Sequence, residues 1–126
     1  MMLMRDAFSE WLDVQVIEVN QGNCKLSCTV KPEMLNGFEI LHGGITYSLS
    51  DSALAFAANS YGYKCVSIET SISHLRPVKN DQVLTVEAKE IHRGKTIGIY
   101  EVDIFSDENK LVSKFKGTVN ISKDIW

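Results

Sequence analysis

The sequence predicts an α+β domain in which an antiparallel sheet wraps around one long central helix. Three observations carry that expectation. From about Gly43 to Ser60 the residues follow a helical period, with Ile45, Leu49, Ser52 and Phe56 along one side. After Gly62 the period drops to two and holds through four segments separated by turn-forming clusters. A single-layer sheet cannot bury its apolar face alone, so the one long helix must cover it.

Taken in order, residues 5–12 place Phe8, Trp11 and Leu12 at i, i+3 and i+4, the spacing of a short amphipathic helix. The stretch "VQVIEVNQGNCKLSCTV" reads as two strands hinged at Asn20-Gln21-Gly22-Asn23. Residues 31–42 have no clear period and contain Pro32, Asn36 and Gly37, so they read as a loop. Beyond the helix, "KCVSIETSISHLRPV" alternates Val66, Ile68, Thr70 and Ile72 against Ser67, Glu69, Ser71 and Ser73. "QVLTVEAKEIH" alternates Leu84, Val86 and Ala88 with polar neighbours, and "TIGIYEVDIFS" and "KLVSKFKGTVNIS" continue the pattern. Turn signals fall at Lys79-Asn80-Asp81, at Arg93-Gly94-Lys95 and at Ser106-Asp107-Glu108-Asn109. The four closing strands are expected to form an antiparallel meander.

A chain of 126 residues suits one domain spanning 1–126. Its net charge of −3 speaks against a nucleic-acid partner but leaves room for a small basic pocket that takes a phosphorylated ligand. The three cysteines, Cys24, Cys28 and Cys65, form no dense framework and fit buried, reduced thiols in a cytoplasmic protein. The opening "MMLMRDAFSEWLDVQV" is too short in apolar residues for a signal peptide, and no run reaches the length of a membrane span. No His, Cys, Asp or Glu cluster has metal-site spacing, so no metal is expected. Neither a Gly-x-Ser-x-Gly nor a Walker-type loop occurs.

The chemistry gathers on the long helix. At 3.6 residues per turn, Gly44, Ser48, Asp51, Ala55 and Ala58 share one face made of small residues and one carboxylate. Asp is a poor mid-helix residue, because its side chain competes for local backbone groups. Gly43-Gly44 would leave the first N–H groups of the helix open to a ligand oxygen, an oxyanion-type site. Gly44 and Asp51 are seven residues apart, hence two turns apart on the same face. His42 reads either as the residue that bonds the loop and fixes the start of the helix, the preferred role, or as a catalytic residue in direct proton transfer.

The stretch "NGFEILHGGITYSLSDSALAFAANSYG", with "ISHLRPV", "HRGKTIGIYEVDIF" and "KFKGT" downstream, resembles the hotdog-fold acyl-CoA thioesterases of the phenylacetate-degradation type. The pattern is an Asn, then His-Gly-Gly, then a helix with Ser-Leu-x-Asp: here Asn36, His42-Gly43-Gly44 and Ser48-Leu49-Ser50-Asp51. It covers nearly the whole chain from about Leu35 to Thr118. The resemblance implies the hotdog fold and the hydrolysis of an acyl-CoA such as phenylacetyl-CoA or hydroxyphenylacetyl-CoA. It implies that Asp51 acts as general base or nucleophile and that the Gly44 N–H binds the thioester oxygen. Asn36 would orient the water or the carbonyl. Ser67 would assist near the carboxylate, across a dimer interface. Contacts to CoA would come from Gly43, from His74, Arg76, Pro77 and Lys79, and from Arg93, Gly94, Lys95 and Thr96. CoA would be part of the substrate, with no cofactor. The resemblance also implies a homodimer or a dimer of dimers.

Two other readings share the fold. A hydroxyacyl dehydratase would need a catalytic His with a differently placed acid, which "ILHGG" and Asp51 do not match. A non-catalytic acyl-CoA-binding module would keep Arg93 and Lys95 but lose the carboxylate. Tyr47, Phe56 and Tyr61 are candidates to line an acyl pocket, with core packing as their main expected role.

Overall fold

The structure, a computed structural model, describes residues 6–126. Its elements are helix α1 (Ala7–Trp11), strands β1 (Gln15–Asn20) and β2 (Asn23–Thr29), helix α2 (Gly43–Ala58), and strands β3 (Tyr63–His74), β4 (Val83–Arg93), β5 (Ile97–Phe105) and β6 (Leu111–Ile125). Arg5, where the expected first helix begins, lies outside the described residues. Asp6 caps α1 by accepting from the Ser9 N–H. Of the three apolar residues on α1 and its end, only Leu12 enters the core, while Trp11 is exposed. The loop at 31–42 holds a 3-10 turn, Pro32–Met34, and a bridge between Leu35 and Leu41. Helix α2 gives way at Ala58 to a 3-10 turn, Asn59–Tyr61, slightly short of the expected Ser60.

All six strands form one antiparallel sheet in the order β1-β2-β4-β5-β6-β3. The expected four-strand meander is therefore corrected: β4, β5 and β6 run as a meander, but β3 crosses to the far side and pairs with β6. The reason is the helix. Strand β3 leaves its C-terminal end on the side opposite β2, and β4 returns to pair with β2. The outcome is the hotdog arrangement, with α2 laid across the concave face. Leu49, Ala53, Leu54, Phe56 and Ala57 of the helix meet Leu26, Leu84, Val86, Val102, Ile104 and Phe115 of the sheet in one buried core. At about 25 cal/mol per Å² of apolar surface removed from water, this burial is the main driving force of the fold. Gly117 gives the helix room, since a Cβ there would stand 2.9 Å from Leu54 Cδ1.

The three cysteines are buried thiols, as their spacing suggested. Burial pushes Cys24 up to about 12 and raises Cys28 and Cys65 as well.

Strand β3 departs from simple alternation. Its register with β6 shifts between Ser67 and Glu69, a β-bulge at Ile68. Before the shift Ser67 pairs with buried Val119, and after it Thr70, Ile72 and His74 pair with Gly117, Phe115 and Ser113. Residues directly opposite share a face. So Ser67, Thr70, Ile72 and His74 all face the helix side, whereas Val66 and Ile68 are 65% and 58% exposed. This overturns the expected partition, which set Val66 and Ile68 on the apolar side with Thr70 and put Ser67 on the opposite, polar one.

Candidate active site

Helix α2 starts between two imidazoles. His42 is its N-cap, and its Nδ1 accepts a hydrogen bond from the Gly44 N–H at 2.8 Å. A Cβ on Gly44 would meet that nitrogen at 2.9 Å. His74 lies against Gly43, where a Cβ would stand 3.1 Å from its Cε1. The glycines are thus needed for close packing of both rings. The expected bare Gly44 N–H is corrected: His42 occupies it, because an unpaired donor at a helix start recruits the nearest acceptor. Thr46 donates its hydroxyl to the Gly43 carbonyl at 2.9 Å and lies 3.3 Å from His74 Nδ1. Its single proton is directed to the carbonyl, which leaves its oxygen able to accept from His74 Nδ1.

Asn36 sits in the preceding turn. Its Oδ1 accepts from the N–H groups of Phe38 at 2.9 Å and Ile40 at 3.5 Å. Those donors identify the oxygen end of the amide, so its NH2 end is the part left for a ligand acceptor. Asn36, Gly43, Thr46, His74, Arg76 and Pro77 border a cavity of about 380 Å³ at the helix N-terminus. Arg76 also donates to the Leu111 carbonyl at 2.9 Å. Lys79 is exposed beside this region.

Asp51 stands two turns into α2, half-buried, and makes no hydrogen bond to the described residues. Its place follows from rotation about the helix axis. Leu54 rests over Gly117 of β6, and Tyr47 bonds Thr70 of β3 at 2.6 Å. The next residues around the helix are Ala58, Asp51, Gly44 and Ala55, followed by Ser48. This stripe therefore overhangs the free side of edge strand β3. Its far border is α1, joined to α2 through Ser9 Oγ and Ser52 Oγ at 3.2 Å. Burial raises the Asp51 carboxyl above the usual carboxylate range, and the nearby Asp6 adds to the rise. Sequence reading missed Asp6 as a neighbour of the site, although its Asp-x-x-Ser spacing does mark a helix cap.

The second group of expected CoA contacts sits at the other end of α2. Gly94 and Lys95 border a cavity of about 540 Å³ together with Tyr61, Tyr63, Ser122 and Lys123. Arg93 borders it too, but its guanidinium is turned inward. It donates to the Ala58 carbonyl at 3.1 Å and to the Tyr100 hydroxyl at 2.9 Å, and it stacks 3.8 Å from the Tyr61 ring centre. Tyr61 and Tyr100 in turn donate to the two oxygens of Glu90. The expected role of Arg93 as a free cation for phosphate is therefore replaced: it caps the C-terminus of α2, where carbonyls lack partners. Lys95 and Thr96 are exposed, and Lys123 and Tyr63 join them without any signal in the sequence. Among the described residues no three His, Cys, Asp or Glu side chains gather at metal-binding range, and no helix is long and apolar enough to cross a membrane.

The chain is similar to known proteins over most of its length. The signature of the thioesterase superfamily matches residues 38–113. The acyl-coenzyme A thioesterase PaaI of Escherichia coli is 36% identical over 92% of this chain and 83% of its own length. The solved structure of that protein, from the phenylacetic acid degradation operon, superposes with a TM-score of 0.96 over 98% of this chain and 90% of its own, at 34% identity. A hypothetical thioesterase protein of Streptococcus pneumoniae, solved with coenzyme A, is 26% identical with a TM-score of 0.92 over 99% of this chain and 98% of its own.

Proposed function

The chain belongs to the thioesterase superfamily, as a hotdog-fold acyl-CoA thioesterase of the phenylacetate-degradation type, and from that premise we propose that it hydrolyses phenylacetyl-CoA, hydroxyphenylacetyl-CoA or a similar aryl-acyl thioester to the free acid and CoA. The observation that carries this reading is the pairing on one helical stripe of an N-terminal amide, Gly44, with a carboxylate two turns on, Asp51. The thioester oxygen takes the Gly44 N–H in place of His42 Nδ1, with the Asn36 NH2 as a second donor. Those donors oppose the negative charge that develops on the oxygen, usually the largest single contribution to such a reaction. The carbonyl carbon then lies along the stripe toward Asp51. There the carboxylate takes a proton from water as that water attacks, and the tetrahedral intermediate collapses by breaking its C–S bond, the departing CoA thiolate taking the proton back from Asp51; or the carboxylate attacks the carbon itself, displacing CoA thiolate to form an anhydride that water opens to the free acid. Burial suits it to the first role, because a raised pKa makes a stronger base.

The working unit of this proposal is a two-fold dimer. Strand β3 is an edge, and an exposed edge carrying Val66 and Ile68 calls for cover. A second β3 paired antiparallel to it would extend the sheet beneath the Asp51 stripe. It would also set the two α2 helices antiparallel. The sixteen residues of α2 separate its ends by about 24 Å. The Lys95 corner of one protomer would thus come near the helix N-terminus of the other, so that one CoA spans both. Ser67, on the helix side of β3, would face the partner's stripe. Two such dimers could pair further, and the protein would act in the cytoplasm.

A thiol-release assay over a panel of acyl-CoAs, with Asp51→Ala as control, tests the activity. Release of CoA from aryl-acyl thioesters that vanishes in the variant supports it. Binding of acyl-CoA without turnover would instead favour the non-catalytic reading.

A further inference from the structure

The three aromatic candidates for an acyl pocket take different places. Phe56 is buried in the core, and Tyr61 is committed to Arg93 and Glu90. Tyr47 alone stays 38% exposed and next to the stripe that holds Asp51. It is one turn after Gly43 and one turn before Asp51, on the β3 side of both. An acyl group whose oxygen is held at the helix start, with its carbonyl carbon directed along the stripe toward Asp51, has the Tyr47 ring alongside.

That ring is fixed at two points. Its hydroxyl is 2.6 Å from Thr70 Oγ1 on the edge strand. Its body meets Phe115 edge-on, with centroids 5.6 Å apart and planes at 71°. Thr70 can hold it because the bulge at Ile68 turns Thr70 toward the helix. A ring tethered at its tip and braced on its edge has little rotational freedom left to lose when a ligand arrives.

Resting on the acyl-CoA thioesterase reading, we propose that Tyr47, held by Thr70, determines acyl specificity: its ring is the rigid wall that accepts a flat aromatic acyl group in preference to a straight alkyl chain. Flat rings gain from offset or edge contact with a fixed aromatic surface beyond the area they bury. A flexible chain gains only the area and gives up rotamer freedom to lie against it.

The test is kcat/KM for phenylacetyl-CoA against hexanoyl-CoA in the wild-type protein and in Tyr47→Ala, Tyr47→Phe and Thr70→Val. Removing the wall is expected to lower the aryl-to-alkyl ratio about tenfold or more. Tyr47→Phe and Thr70→Val each remove one neutral hydrogen bond and should lower it about threefold. Because they share that bond, the double variant should match either single one rather than their product. Parallel losses on both substrates, with the ratio unchanged, would overturn the proposal. If Tyr47→Ala melts below the assay temperature, the Tyr47→Phe and Thr70→Val ratios decide alone. A wild-type protein that hydrolyses neither thioester removes the activity itself, and this proposal with it.

Discussion

His42 Nδ1 accepts from the Gly44 N–H at 2.8 Å, and the same nitrogen would stand 2.9 Å from any Cβ placed on Gly44. Cap and glycine are therefore one unit. The imidazole closes the helix start only because residue 44 has no side chain, and it holds the donor until a ligand oxygen takes it.

The first expectation concerns their coupling. His42→Ala removes the cap and should cost about 1 kcal/mol of stability. Gly44→Ala pushes the ring aside and should lose the same cap. The double variant should then cost clearly less than the sum, a coupling that denaturant titration of all four proteins reads directly. Strict additivity would mean that the two residues act separately.

Asp51 should trade stability for activity. Its unfolded carboxyl titrates at about 3.9, and burial with Asp6 nearby raises the folded one. Between those two values the folded protein holds the extra proton. Ionising Asp51 therefore costs stability as pH rises through that window. Asp51→Asn should abolish turnover yet melt higher than wild type, with the gap opening as pH rises from below the unfolded value. The acid limb of kcat/KM, which follows the ionised carboxylate, should lie above the usual carboxylate range. Asp6→Asn should move that limb to lower pH. An unmoved limb would remove Asp6 from the site's electrostatics.

Arg93 and Lys95 are neighbours in sequence with opposite expected phenotypes. Arg93→Ala strips partners from the Ala58 carbonyl, Tyr100 and Glu90 and should cost about 3 kcal/mol of stability. Lys95→Ala should leave the melting temperature within a degree or two and raise KM for acyl-CoA severalfold, more so at low salt. Thermal melts and steady-state kinetics on the two variants separate the roles.

Charge on the edge of β3 should undo the assembly. Val66→Lys with Ile68→Lys places like charges where two edges would meet. Sedimentation should show the wild type as a dimer or larger and the variant as a monomer, with turnover lost in parallel. A monomer that keeps full turnover would show that one chain holds a complete site.

The comparison between sequence and structure turns on where local pattern stops being informative. The bounds of α2 and the hairpin at Gln21-Gly22 were legible because each is set by near neighbours: a 3.6-residue period, and a glycine at φ 82°. Asp51 stood out for the same reason, as a carboxylate in an apolar helix. The pairing of β3 with β6 was not legible, since both are amphipathic strands and alternation does not name a partner. The bulge at Ile68 was hidden as well. One extra residue leaves the letters alternating while it moves Thr70 and Ser67 onto the same face. Arg93 misled because a turn cation and a helix-capping cation look identical in sequence. Only the Ala58 carbonyl opposite tells them apart.

The buried cysteines carry a practical consequence. Thiol reagents react with the thiolate, and burial holds all three side chains in the protonated form at neutral pH. While folded, the protein should be nearly silent toward a chromogenic disulfide, so that colour in such an assay counts liberated CoA against a flat background. The same silence makes the reagent an alarm. A variant that takes up label without substrate has opened β2 or β3, and its lost turnover is then a loss of structure rather than of chemistry.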